Sequence, residues 1–185
     1  ARRWLIFQLC LVSIFASAET RAERASPDGK EAPTTSSGKG YSCVFLGHSF
    51  FVPMAQRLKL HPARCGFVEH RQLIAAGGGA NGSPGKLWAS IGEDHKVRQA
   101  IRAGTIDMIG LTFYPGVGSE VADYRRWMDF ALKHNPKTRF FIMTPWPRYW
   151  SRTLDEYEEI WSKFHQEIHK LIDQLRTIYP GTTLF

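Results

Sequence analysis

Short apolar runs alternate with longer segments of helical periodicity between residue 41 and residue 185, and this alternation restricts the folds open to the chain. The apolar runs predict strands, and they span 41–47, 66–76, 105–112 and 138–144. Strands that alternate with helices form a parallel sheet whose two faces are covered by those helices. The sequence therefore predicts an α/β fold, a three-layer αβα sandwich around a parallel sheet.

The segments between and after these strands carry apolar residues at helical spacing, and we expect helices over 50–60, 87–103, 120–134 and 154–178. Gly104 stands directly after the second of them, where a glycine commonly ends a helix. The last residues, 181–185, begin a further apolar run, and the chain opens with Ala1 rather than Met. We expect both ends to be those of a fragment.

The N-terminal residues have the order of a secretory signal peptide. Arg2 and Arg3 precede an apolar run over 4–15, and Ala16-Ser17-Ala18 forms a small-x-small cleavage site. The apolar run is too short to span a bilayer, so we expect no stable membrane span in the mature chain. The predicted organisation is a signal peptide at 1–18, a flexible linker at 19–40 and one domain at 41–185, in a secreted or periplasmic protein.

The balance of charge argues against a nucleic-acid partner. The formal net charge is +7, and loss of residues 1–18 with Arg2 and Arg3 leaves +5. In the domain the basic residues are interspersed with acidic ones along the predicted helices, which is typical of a solvated surface rather than a nucleic-acid footprint. The oligomeric state is left open by the sequence.

Cys43 and Cys65 stay in the chain after removal of the signal peptide with Cys10. In an oxidising compartment they either form a disulfide or remain two small buried thiols. The sequence leaves both alternatives open.

In an open parallel sheet, ligands bind in the loops that follow the carboxyl ends of the strands. Those loops are predicted at 47–51, 77–84, 112–118 and 144–150. They hold most of the unusual residues of the domain, among them a serine after the first strand and a glycine run after the second. We therefore expect the functional site at this edge.

Gly47-His48-Ser49 ends the first strand, and Gly79 lies in the glycine-rich loop after the second. In this arrangement the chain resembles the SGNH, or GDSL-like, hydrolase family, whose Gly-Asp-Ser block carries the nucleophilic serine and whose second block is a glycine. The resemblance covers 41–185. It implies a flavodoxin-like sheet, Ser49 as nucleophile, the amides of Ser49 and Gly79 as oxyanion donors, and no metal or cofactor.

The chain departs from the family in its other blocks. Leu111-Thr-Phe-Tyr-Pro115 stands where the family has Gly-x-Asn-Asp, so Asn81 and Thr112 are alternative oxyanion donors. His48 replaces the family's aspartate, and we interpret it as a polar residue that bonds the loops rather than as the base for Ser49. The family's Asp-x-x-His block is expected beyond Phe185.

The sequence thus predicts a secreted serine hydrolase that acts on a carbohydrate ester or a lipid ester. Thr112, Tyr114 and Trp146 lie in the predicted edge loops and are expected to contact the substrate, since aromatic rings suit sugar and acyl groups. The alternative is a non-catalytic extracellular module that binds glycans on the same fold. His165 and His169 lack a third metal ligand nearby and are interpreted as solvated helix residues.

Overall fold

Four apolar segments form the sheet, as the alternation predicts. The computed structural model describes residues 38–145 and 153–185. The strands are β1 (Ser42–Gly47), β2 (Arg71–Ala76), β3 (Met108–Thr112) and β4 (Arg139–Met143). They are all parallel and lie in the order β2-β1-β3-β4. Because β2 and β3 flank β1 on opposite sides, the chain reverses its direction of winding at β1, and a crevice opens there at the carboxyl edge.

Helices lie on both sides of this sheet, which confirms the predicted three-layer α/β fold. Their bounds are α1 (Val52–Leu58), α2 (His61–Arg64), α3 (Pro84–Ser90), α4 (Lys96–Arg102), α5 (Val121–His134) and α6 (Leu154–Ile178). A 3₁₀ turn over Gly79–Gly82 precedes α3.

The two faces of the sheet carry cores of unequal size. On one face, strand residues such as Val44 and Ile109 pack against α3 to α6, with Trp127 of α5 fully buried. On the other face, α1 is the only helix over β1 among the described residues. Phe51 and Ala55 pack there against Cys43 and Phe45. Burying both faces of β1 explains why it is an uninterrupted apolar run.

The predicted helix over 87–103 is wrong, because the chain forms two helices, α3 and α4, separated by 91–95. The buried guanidinium of Arg98 stabilises this break. It donates to the carbonyl oxygens of Trp88 at 2.8 Å and Ile91 at 3.0 Å, which are at the end of α3 and would otherwise accept from a continuing helix. His95 then caps α4 by accepting from the Val97 amide at 3.2 Å.

The second strand is shorter than the predicted 66–76. Glu69 has a φ of 60°, a conformation outside the extended region, and regular pairing with β1 begins at Arg71. Before this interruption, Lys39 pairs with Val68 in an isolated bridge. The ordered backbone therefore includes residues that we assigned to the linker.

The expected start of a further strand at the end of the chain is confirmed. Leu184 pairs in parallel with Phe140 of β4, and the Phe140 amide donates to the Thr183 carbonyl at 2.9 Å. The Ile142 amide donates to the Phe185 carbonyl at 3.0 Å. Residues 183–185 thus extend the sheet beyond β4.

Both cysteines of the domain are free thiols, so the disulfide alternative is not realised. Cys43 is buried, as the other alternative predicted, but Cys65 is exposed at the end of α2. Within 38–145 and 153–185, no helix has the length and apolar character needed to cross a bilayer. The predicted signal peptide lies outside the described residues.

Candidate functional site

The turn after β1 holds Ser49 at the carboxyl edge of the sheet. The carbonyl oxygen of His48 accepts from the amides of Phe51 at 2.9 Å and Val52 at 3.1 Å, which closes the turn and starts α1. Ser49 occupies the crest of this turn and is exposed, whereas Gly47 and His48 on its N-terminal side are buried. The fold therefore presents the Ser49 side chain to solvent at the end of a rigid strand.

His48 connects the first and third edge loops. Its side chain is only 1% exposed, its Nε2–H donates to the Phe113 carbonyl at 3.3 Å, and its Nδ1 accepts from the Phe50 amide at 3.4 Å. These roles require the neutral imidazole with its proton on Nε2. The prediction that His48 links the loops by hydrogen bonds is confirmed. Its Nδ1 already accepts a hydrogen bond from a backbone amide, so His48 is a poor base for Ser49.

The glycine-rich loop lies directly against the turn that carries Ser49. The Gly77 amide donates to the Gly47 carbonyl at 3.1 Å. A Cβ built on Gly82 would lie 2.5 Å from the Gly47 oxygen and 2.6 Å from the His48 Cα, so only glycine allows this approach. The two loops that the resemblance singles out are in backbone contact.

Gly79 and Asn81 belong to the 3₁₀ turn of this loop. Gly79 has a φ of +52°, in the left-handed region that favours glycine, and Asn81 is exposed. The loop is held in shape by Ser83, whose buried hydroxyl donates to the Ala80 carbonyl at 2.7 Å. The Ser83 amide donates to the same carbonyl at 3.0 Å, so the turn that contains Gly79 is closed by two hydrogen bonds.

Thr112 lies beneath the site rather than in it. Its side chain is fully buried, and its hydroxyl donates to the Leu46 carbonyl at 3.3 Å. The hydroxyl oxygen of Thr112 would lie 2.2 Å from a Cβ built on Gly47. In this position Thr112 supports the end of β1, and its hydroxyl proton is already donated.

Tyr114 is half-buried at the edge, with its ring perpendicular to the His48 ring at a centroid distance of 5.5 Å. A Cβ on Gly79 would lie 3.9 Å from the Tyr114 hydroxyl oxygen. Tyr114 thus stands between the first and second edge loops. Trp146, the other aromatic residue predicted to contact substrate, lies outside the described residues.

The sequence analysis missed Ser119, which orients the loop after β3. Its Oγ accepts from the Tyr114 amide at 2.9 Å and fixes the backbone that carries the tyrosine. Gly116 and Gly118, both with positive φ, turn the chain so that Ser119 returns to Tyr114. The sequence pattern that could have predicted this closed loop is the pair of glycines two residues apart, directly before a serine.

A cavity of about 480 Å³ lies behind this loop, between residues 113–121 and α6. Phe113, Val117 and Leu171 form its apolar part, and Glu167 and Lys170 are exposed residues of α6 at the same cavity. A volume of this size fits a small molecule. Since Phe113 also bonds His48, the cavity and the site share one loop.

The remaining histidines do not form a metal centre with acidic residues or cysteines in the part of the chain that the structure describes. On α6, His165 packs against Trp161 with ring centroids 4.5 Å apart, and His169 is exposed. His169 is thus a solvated helix residue, as expected, whereas His165 is half-buried beside Trp161.

This edge of the sheet combines the exposed hydroxyl of Ser49 with the glycine-rich 3₁₀ turn at Gly79–Gly82. Backbone N–H groups that point at a reacting oxygen stabilise negative charge on it. No family model, no curated protein and no solved structure matches this chain.

Proposed function

We propose that this protein is a secreted serine hydrolase of the SGNH type, which cleaves a carbohydrate ester or a lipid ester. The observation that carries the proposal is the backbone contact between the glycine loop and the Ser49 turn, at Gly82 and Gly47. A hydrolase of this type needs a nucleophile and amide donors on separate loops that are held together, and this contact meets that need.

In the proposed reaction, the Ser49 hydroxyl oxygen attacks the ester carbonyl, and the amides of Ser49 and Gly79 donate to the oxyanion. Asn81, in the same 3₁₀ turn as Gly79, is the alternative third donor. The alcohol then leaves, and water hydrolyses the acyl-enzyme. Because Nδ1 of His48 is occupied by the Phe50 amide, we assign the role of general base to another group.

The experiment is covalent labelling of the protein with a fluorophosphonate that carries a fluorophore. An activated serine reacts with this probe and an ordinary hydroxyl does not. We expect the protein to label and Ser49→Ala to lose the label. Ser90→Ala is the matched control, because Ser90 lies on α3 with its hydroxyl bonded to Leu87 within that helix. Persistent labelling of Ser49→Ala would refute the assignment of the nucleophile.

A second candidate function is a non-catalytic module that binds glycans at the same edge. The occupied imidazole of His48 favours it, since the serine then has no neighbouring base in its own loop. Tyr114 and the exposed rings of Tyr157 and Trp161 at the start of α6 supply aromatic surface for sugar rings. Absence of labelling together with retention on immobilised polysaccharide would favour this alternative.

A further inference from the structure

We infer that the hydroxyl group of Tyr114 is a donor in the oxyanion hole, in the role that an asparagine after the third strand has in the resembling family. This inference rests on the proposed function, since it assigns a role in the same reaction. It differs from the sequence-based expectation, which gave Tyr114 only a substrate contact.

The position of the hydroxyl is the first argument. Gly79 supplies a proposed oxyanion amide, and the Tyr114 hydroxyl oxygen lies 3.9 Å from the point that a Cβ on Gly79 would occupy. A glycine at this position leaves that space open, so the phenol and the loop backbone border the same volume. A carbonyl oxygen bound in this volume would have the phenol hydroxyl and the backbone of Gly79 as neighbours.

The second argument is that Tyr114 is held in place by the residues around it. Its amide donates to Ser119 Oγ at 2.9 Å, and the preceding carbonyl, that of Phe113, accepts from His48 Nε2 at 3.3 Å. Its ring contacts the His48 ring edge to face. Preorganised donors stabilise a transition state best, because they do not have to reorient during the reaction.

The third argument comes from the two donors expected from sequence. Thr112 is fully buried, and its hydroxyl donates to the Leu46 carbonyl at 3.3 Å, so it cannot donate to a substrate as well. Asn81 is exposed on the glycine turn, and its backbone amide donates to the Gly78 carbonyl at 3.1 Å. Tyr114, in contrast, is partly exposed, its backbone is held by Ser119, and its ring packs against His48.

The chemical step leaves the phenol unchanged. When the bond between Ser49 Oγ and the carbonyl carbon forms, the carbonyl π electrons move to the oxygen, which then accepts hydrogen bonds from the two amides and the phenol O–H. The general base, which is the imidazole of a histidine in the resembling family, takes the serine proton. When the tetrahedral intermediate collapses, the ester C–O bond breaks and this proton passes to the leaving alcohol, while Tyr114 keeps its own.

The test compares Tyr114→Phe with the unaltered protein in the hydrolysis of p-nitrophenyl acetate and in the inhibition by an alkyl boronic acid. Phenylalanine keeps the ring against His48 and removes only the hydroxyl. We expect kcat and kcat/KM to fall together, by about 100-fold, with KM little changed, because the lost bond forms only in the transition state. Boronate affinity should fall as well, since the tetrahedral adduct resembles that state.

Tyr41→Phe is the matched control, because Tyr41 lies at the opposite end of β1 beneath the guanidinium of Arg139. A rise in KM with unchanged kcat in Tyr114→Phe would overturn the inference and return Tyr114 to substrate binding. A loss of kcat in Asn81→Ala, with Tyr114→Phe unaffected, would overturn it in favour of Asn81. If the unaltered protein neither hydrolyses the ester nor labels at Ser49, the proposed function fails and this inference fails with it.

Discussion

Gly82 lies against His48 with no room for a side chain between them. A Cβ on Gly82 would be 2.6 Å from the His48 Cα and 2.6 Å from its Cβ, distances at which one backbone has to move. This contact brings the second edge loop onto the first and sets the distance between Ser49 and the glycine turn. The site therefore depends on a residue that has no functional group.

Gly82→Ala is expected to lower the free energy of unfolding by about 1 to 3 kcal/mol, as overpacking in a rigid interior does. It should also lower the rate of fluorophosphonate labelling, because the loop with the Gly79 amide moves away from Ser49. The free energy is measured by urea denaturation and the rate by gel fluorescence. Gly78→Ala is the control, since a Cβ there meets nothing within 4 Å and its φ of −72° suits alanine. Equal effects of both substitutions would contradict the proposed role of the contact.

Arg98 is expected to be essential for the break between α3 and α4. Its guanidinium donates to two backbone carbonyls and lies 3.9 Å from the centroid of the Trp88 ring. One guanidinium nitrogen also lies 3.0 Å from a carboxylate oxygen of Glu93. Arg98→Lys keeps the charge but cannot reach these partners in the same geometry, so buried carbonyls lose their donors. We expect a loss of about 2 to 3 kcal/mol in the free energy of unfolding.

The control for this prediction is Arg102→Lys. Arg102 pairs with the same glutamate, Glu93, but its side chain is 44% exposed. An exposed ion pair contributes little, so a change below about 0.5 kcal/mol is expected in the same urea experiment. Equal effects of the two substitutions would contradict the stabilising role assigned to the buried hydrogen bonds of Arg98.

The buried thiol of Cys43 predicts a loss of stability at alkaline pH. Burial, and secondarily the Asp107 carboxylate, raise the pKa of Cys43 from 9.0 to about 11, while Arg139 acts in the opposite direction. Between pH 9 and pH 11 the thiol ionises in the unfolded chain but not in the folded one. The unfolded state is therefore favoured as pH rises through this window, and stability is fully present below it.

We expect the Tm to fall from pH 9 to pH 11 and to fall less steeply in Cys43→Ala, as followed by circular dichroism. Cys65→Ala, at an exposed thiol, is the control and should follow the unaltered protein. Burial also raises the pKa of Tyr179, to about 12. Because every variant keeps this tyrosine, part of the fall in Tm at alkaline pH should remain in all of them. Parallel pH profiles for all three proteins would contradict the prediction.

Local pattern was sufficient to predict the layers of the fold. Strands that are buried on both faces have to be apolar runs, and parallel strands have to be joined by helices, so the alternation of the two specifies an α/β sheet. The break at 91–95 could not be predicted this way. The Arg98 guanidinium stabilises it by donating to the carbonyl oxygens of Trp88 and Ile91, and the spacing of apolar residues does not reveal such hydrogen bonds.

In the candidate site, too, some features follow from local sequence pattern and others only from tertiary packing. The sequence by itself determined that Ser49 and the glycine turn with Gly79 lie at one edge, because the carboxyl ends of parallel strands point the same way. Only the tertiary structure decided that Thr112 is buried beneath this edge and that the Tyr114 hydroxyl lies near Gly79. Both outcomes depend on the register of β3 beside β1 and on the conformation of the loop closed by Ser119, and these depend on packing between distant segments rather than on local pattern.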